Sequence, residues 1–356
     1  MRSLDPDYIE FLLALALGGA AIALTLYTRM SRRDVVAMGR RGVLLLLTLA
    51  ISAIGAEFAT RFIFRDVTTS SDNGGYFSRR WYRSRPIHEN AAGFRGREYT
   101  PAKPPGVYRI AIVGDSFTYG NGVRQEDRYS DLLQNELPAH MEVLNFGTAG
   151  ANTPEHLALV TRLLSEVHPD FVLLQWYIND VEDDDATARP RPRPLMPIRA
   201  WHNWLNDNSA LYTIANMQWT ETQVALGWTE SYTTYLNRRL ADPHGPDAAR
   251  DSGLLRDLIK RCQDAKVPIG IVLFPDTAGP MDKSYPFGFL HDRVLGICDE
   301  MQLTCIDLRA DFAAIKERQT LWASRLDHHP SARANSIAAE RILQTYSGVW
   351  AASSGR

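Results

Sequence analysis

Tyr108-Arg-Ile-Ala-Ile-Val-Gly-Asp-Ser-Phe-Thr-Tyr-Gly120 passes from one kind of backbone to another within a few residues. The apolar run Ile110 to Val113 reads as a buried strand, and Gly114 ends it in a tight turn. That turn delivers Ser116 to the C-terminal edge of a sheet, where a helix begins. A serine there exposes its hydroxyl and holds its backbone N–H at a helix N-terminus. Both suit a nucleophile whose attack creates an oxyanion. Taken alone, Ser116 fits a helix N-cap as well.

Working outward, the chain alternates strand and helix signals. Strands are expected at 108–113, 142–145, 171–176, 268–274 and 303–307, and helices near 127–137, 154–166, 252–265, 287–301 and 332–346. Apolar strands at that spacing predict an α/β domain with a parallel sheet covered on both faces. Sites in such sheets lie at the carboxyl ends of the strands. Residues 181–250 break the alternation with Glu182-Asp-Asp-Asp185, Arg189-Pro-Arg-Pro-Arg-Pro194 and four tryptophans, Trp201, Trp204, Trp219 and Trp228. A structureless loop of that length is unusual, so a helical insertion over the site is expected, with most of its tryptophans forming its own core. The acidic run lacks the interleaved ligands of a calcium loop and reads as solvated. Residues 66–106 form a linker and lead-in, within which Asn90 to Tyr99 packs an extended segment on the domain.

The 356 residues carry a net charge of −2, which gives no broad field for a polyanion and excludes nucleic acid as a natural partner. Phe11 to Tyr27 is uncharged and almost wholly apolar; Gly42 to Ala56 is similar and extends toward Phe64 past Glu57 and Arg61. Two transmembrane helices are expected, at about 8–28 and 42–64, making 1–65 a membrane anchor. Arg29, Arg32, Arg33, Arg40 and Arg41 between them put the connector in the cytoplasm and both chain ends outside. The expectation is a protein of the cell inner membrane with its catalytic region in the periplasm. A rival reading starts at Met38 and takes Val43 to Ala56 as a signal peptide; it exports the same domain. Glu57 marks either an interfacial position or a contact with a membrane partner. Cys262, Cys298 and Cys305 have no metal-ligand spacing; they are three buried thiols, or Cys298 and Cys305, closest in sequence, form a bridge. No metal or organic cofactor is called for.

Three more elements fall at strand ends. Asn145-Phe-Gly-Thr-Ala-Gly-Ala-Asn-Thr-Pro154 is a turn in which Gly150 N–H can meet an oxyanion. Tyr177-Ile-Asn-Asp180 offers the Asn179 amide. Leu326-Asp-His-His-Pro-Ser331 sets a carboxylate beside two imidazoles, the partners a serine nucleophile requires. In this order the blocks resemble the SGNH, or GDSL, hydrolase family over about 107–346. The resemblance implies a three-layer α/β/α sandwich with a five-stranded parallel sheet, here spanning 107–350 with the insertion at 181–250. It makes Ser116 the nucleophile, and Ser116, Gly150 and Asn179 the oxyanion hole. His329 becomes the general base and Asp327 the residue that orients it. Two departures stand out. Tyr177 replaces the usual glycine of the third block, which narrows the pocket or changes the turn. Asp327 stands two residues before His329 instead of three, so it reaches the ring only in a tight loop; otherwise His329 uses a backbone carbonyl or another acid. His328 is the lesser candidate for the base.

Together these readings imply a membrane-anchored serine esterase or O-acyltransferase working through an acyl-serine on O-acetyl groups of a cell-surface or secreted polysaccharide. Its partners would be the acylated glycan, the bilayer, and a membrane acyltransferase or polysaccharide exporter. The alternatives are a lysophospholipase or thioesterase on lipid esters, and a non-catalytic glycan-binding assembly subunit.

Overall fold

Tyr108–Gly114, the strand β1, is buried from end to end, including the charged Arg109. The guanidinium survives there because Glu142 Oε2 at 2.6 Å, the Val167 carbonyl at 2.8 Å and the Thr100 carbonyl at 3.0 Å take its protons. β2 (Met141–Gly147), β3 (Phe171–Trp176), β4 (Ile269–Leu273) and β5 (Cys305–Asp307) complete a parallel sheet in the order β2-β1-β3-β4-β5. Such strands face helices on both sides, which is why their apolar runs are continuous instead of alternating. From β1 the chain steps to β2 on one side and then to β3 on the other. The carboxyl end of β1 is therefore the switch point where an open sheet leaves room for a ligand.

The computed structural model describes Gly18, Ala21 and residues 33–71, 74–84, 87–182 and 191–354. The chain divides into two units: 68–71, 81–191 and 227–356 hold the sheet, while 1–67, 72–80 and 192–226 hold the apolar N-terminal helix. In the sheet unit, helix Thr153–Glu166 starts with a reciprocal Asn152–Glu155 capping box and packs against Pro246–Asp264. Helix Ala332–Ser354 packs against Tyr129–Glu136 and sets Tyr346 and Trp350 against Phe171. The five strands and the long helices are those the sequence predicts. Of the two readings of the cysteines, the bridged one holds: Cys298 joins Cys305, tying helix Gly288–Glu300 to β5, and Cys262 is a buried thiol. A short antiparallel pair, β6 (Trp322–Ser324) and β7 (Asp327–Pro330), was not foreseen.

In the other unit, helix Arg33–Ile63 contains Gly39–Ile63, 25 residues of mean hydropathy 2.0, long and apolar enough to cross a membrane. Leu44, Leu45, Leu49 and Ile51 are uncovered. It is the one such helix among the described residues; the other expected span, about 8–28, lies outside them apart from Gly18 and Ala21. Glu57 has a partner within the chain itself. It is buried and accepts from Ser209 Oγ at 2.7 Å, Ala210 N at 2.9 Å and Leu211 N at 2.9 Å, so it caps helix Ala210–Ala225. Arg61 closes the ring by donating to Glu57 at 2.6 Å and to the Asn208 carbonyl at 2.8 Å.

The insertion's tryptophans correct an expectation. Trp201, Trp204 and Trp228 are 60%, 45% and 65% exposed, so they are no core. Helices Arg199–Asn208 and Ala210–Ala225 share the single joint Ser209, and Glu57 holds that joint by hydrogen bonds. Held at its end in this way, Arg199–Asn208 keeps no residue buried.

Sheet and site meet at Gly147, the last residue of β2, where the Thr118–Tyr119 backbone lies so close that any Cβ would collide with it. Gly147→Ala is expected to cost about 2 kcal/mol, read as a fall of roughly 5 °C in the unfolding midpoint of the detergent-solubilised protein. An unchanged midpoint would show that the turn has room to move.

Candidate active site

Asp115, and not Ser116, is the N-cap of the four-residue helix Ser116–Tyr119: its Oδ1 accepts Phe117 N–H at 2.9 Å. Ser116 thus occupies the first helical position, where a backbone N–H has no acceptor within the helix. Three buried side chains pin the turn. Gln175 Oε1, on β3, accepts from Asp115 N at 3.1 Å and Thr118 Oγ1 at 2.8 Å. Asn145 Nδ2, on β2, donates to the Thr118 carbonyl at 2.6 Å and to Ser130 Oγ at 2.7 Å. Tyr129 Oη lies 2.6 Å from Thr118 Oγ1, and burial pushes its phenol well above the ordinary range. Arg95, from the lead-in, donates to the Gly120 carbonyl at 2.6 Å and the Val123 carbonyl at 2.9 Å, bracing the loop beyond the helix.

His329 reaches this turn from β7. Its Nε2 is 3.0 Å from Ser116 Oγ and its Nδ1 is 2.6 Å from Asp327 Oδ1. The two-residue spacing works because the segment is a strand, in which residues i and i+2 share a face. The same alternation turns His328 to the other face, where its ring meets Trp322 at 4.5 Å. His328 is therefore not in line with Ser116. Burial alone would raise the Asp327 carboxyl, but the bonds from His329 and from Ser70 N and Oγ outweigh it and bring it down to about 2.

Gly150 and Asn179 stand on the loops after β2 and β3, the two neighbours of β1. Gly150, at φ +80°, lies inside a turn closed by Ala151 N–H to the Thr148 carbonyl at 3.1 Å, a conformation that favours glycine. Asn179 sits in the short helix Ile178–Val181. No hydrogen bond joins either residue to Ser116 among the described residues. The Asn179 amide neighbours the Asp115 carboxyl, which burial pushes upward. Asn179 Oδ1 and Asp115 Oδ2 both lack a partner among the described residues. Turned with its nitrogen inward, the amide has one N–H for Asp115 and another for a reacting oxygen. The Asn179 turn is held by Asp180, which accepts Tyr177 N at 3.2 Å and pairs with buried His156 Nε2 at 3.1 Å. Burial carries the Asp180 carboxyl up to about 6.

Tyr177, in place of a glycine, lays its ring 4.3 Å from that of Phe117, the residue after Ser116. Sequence reasoning named Ser116, Asp327 and His329, which hydrogen bonds bring together, and it missed Ser70, Asn145, His156 and Gln175. The last three carried a signal: each is a polar residue within an apolar run of a strand or helix. No group of metal-ligating side chains occurs among the described residues.

A serine hydroxyl, an imidazole and a carboxylate in line at the switch point of a parallel sheet define a serine hydrolase. The family model of GDSL-like lipases and acylhydrolases matches residues 112–337, well over half of the chain, and the chain belongs to that family of serine ester hydrolases. Several solved structures are similar to it. A lipolytic G-D-S-L family protein from Veillonella parvula is 14% identical over 68% of this chain and 99% of its own, with a TM-score of 0.41. An acetyl xylan esterase is 19% identical over 66% and 98%, with a TM-score of 0.40. A catalytic mutant of an acetylxylan esterase from Geobacillus stearothermophilus is 17% identical over 68% and 95%, with a TM-score of 0.40. Among curated proteins no match was found.

The depressed Asp327 carboxyl makes a prediction about stability. Its folded value, about 2 against an ordinary 3.8, gives a stabilisation fully present above pH 4 and lost as the pH falls through 2. At roughly 1.4 kcal/mol per unit this is about 2 kcal/mol. The stability difference between wild type and Asp327→Asn should therefore shrink as unfolding is followed from pH 5 down to pH 2; a constant difference would refute the assignment.

Proposed function

We propose that the protein is a membrane-anchored esterase in which Ser116 is the nucleophile and His329 the general base, acting on O-acetyl groups of a cell-surface or secreted polysaccharide. The observation that carries this is the line Ser116 Oγ–His329 Nε2–Asp327, with separations of 3.0 and 2.6 Å. Asp327 accepts Nδ1–H, which leaves Nε2 as the lone-pair nitrogen facing the hydroxyl. As Ser116 Oγ attacks the ester carbonyl, its proton passes to Nε2, and Asp327 stabilises the imidazolium. The tetrahedral oxyanion is met by Ser116 N–H, Gly150 N–H and Asn179 Nδ2. His329 then returns its proton to the departing sugar oxygen. Water, activated by the same nitrogen, releases acetate and regenerates the serine; a sugar hydroxyl in place of water would make the reaction a transfer.

The acyl preference follows from Tyr177. A ring packed on Phe117 beside the nucleophile takes space that a glycine would leave to a longer chain, so acetyl is favoured over fatty acyl. The glycan follows from the anchor. The apolar span and the arginine-rich segment before it support a domain held at the outer face of the inner membrane, in the periplasm, where polysaccharide passes on its way out. The bilayer is thus one partner, and a membrane acyltransferase or exporter that supplies the glycan is the other.

The test uses the full-length protein in detergent with p-nitrophenyl acetate and decanoate, and mass spectrometry for acyl-Ser116. Ser116→Ala and His329→Ala should each lose about a thousandfold or more in kcat/KM, and Ser116→Ala should lose the adduct. Acetate should exceed decanoate by at least about tenfold, and Tyr177→Gly should narrow that ratio. Activity indifferent to Ser116→Ala would sink the assignment. Preference for decanoate would replace the glycan with a lipid ester.

A further inference from the structure

Ser70 belongs to no motif of the family blocks; it lies in the lead-in, seven positions after the last residue of the apolar helix Arg33–Ile63. It is 1% exposed, and its backbone N–H and Oγ both contact one atom, Asp327 Oδ2, at 2.6 and 2.7 Å. The same Oγ is 3.3 Å from His329 Nδ1. The segment is fixed on either side of Ser70: Ser324 Oγ, on β6, donates to the Thr68 carbonyl, and Thr69 Oγ1 accepts Ser71 N–H at 3.1 Å. Thr69 is as buried as Ser70.

Two donors on one oxygen do more than satisfy a buried charge. A carboxylate on a strand turns about its side-chain bonds, and only one setting points Oδ1 at the imidazole. With Oδ2 clamped from two directions, Oδ1 is left facing Nδ1. His329 N–H, at 3.1 Å from Oδ1, holds the same setting from β7. We propose that Ser70 is a positioning residue of the catalytic relay, so that the segment leading out of the anchor completes the site by fixing the Asp327 carboxylate toward His329. This rests on the reading of Asp327 and His329 given above, and it makes residues 68–71 part of the hydrolase domain instead of a linker.

The experiment compares full-length wild type, Ser70→Ala, Ser70→Thr, Asp327→Ala and the double variant Ser70→Ala/Asp327→Ala in detergent. Loss of one hydrogen bond to a buried carboxylate should lower kcat for p-nitrophenyl acetate about tenfold with KM unchanged. Thr, which keeps the hydroxyl, should restore most of the rate. In the Asp327→Ala background the Ser70→Ala change should cost nothing more, since the partner is gone. A second readout needs no turnover. A proton in the 2.6 Å His329–Asp327 bond gives a far-downfield proton NMR resonance, assigned by its loss in His329→Gln; Ser70→Ala should shift or broaden it and Ser70→Thr should restore it. Equal losses in both backgrounds, or a resonance indifferent to Ser70→Ala, would overturn the proposal. Wild type without turnover but with a resonance that answers to Ser70 would retain it and overturn the esterase reading instead.

Discussion

The site depends on how closely a four-residue helix can lie against the ends of two strands. Thr118 and Tyr119 rest on Gly147 with no room for a methyl group, and Gly114 is crowded in the same way by Thr118 and Gln175. Tight packing of this sort brings backbone polar groups into the interior, and each must find a partner. Gln175 and Asn145 supply those partners from β3 and β2, so two residues that look misplaced in apolar strands are what allow the turn to be buried. Ser116 then projects from a rigid support, with its N–H at the helix start and its hydroxyl toward His329.

Much of this was legible from residue order. Apolar runs that do not alternate announce buried parallel strands, and β1 to β5 lie where those runs lie. Ser116, Asp327 and His329 were legible because a serine at a strand-to-helix turn and a carboxylate beside imidazoles ahead of the last helix are chemically matched partners. What escaped were features whose signal is too short or too remote. β6 and β7 are three and four residues long, below the length at which a period of two can be seen, yet β7 decides whether Asp327 reaches His329. The exposure of Trp201 and Trp204 was hidden for the opposite reason. A tryptophan's size argues for burial, and only the assembled helices show that their hairpin is secured by polar groups at Ser209.

The buried carboxylates near Ser116 separate by their surroundings. Asp327 receives four hydrogen bonds, from Ser70 twice and from His329 twice, and stays charged far into acid. Asp115 accepts Phe117 N–H and neighbours the Asn179 amide, and burial still pushes its carboxyl upward. Asp180 accepts Tyr177 N–H and shares His156, and burial still raises it to about 6. Hydrogen bonds thus outweigh burial at Asp327, whereas burial outweighs them at Asp115 and Asp180.

Asp327 is also where the unusual spacing and the lead-in segment meet. Moving the carboxylate one residue closer to His329 places it on a strand, which sets its direction, and His329 N–H holds Oδ1 from the same strand. The outer oxygen is held from elsewhere in the chain, by Ser70, 259 positions upstream of His329. Substitutions that leave the motif intact can therefore loosen the Asp327 carboxylate if they alter residues 68–71, a stretch whose composition reads as a linker. The hydrolase domain begins, in physical terms, where its last hydrogen-bond donor does.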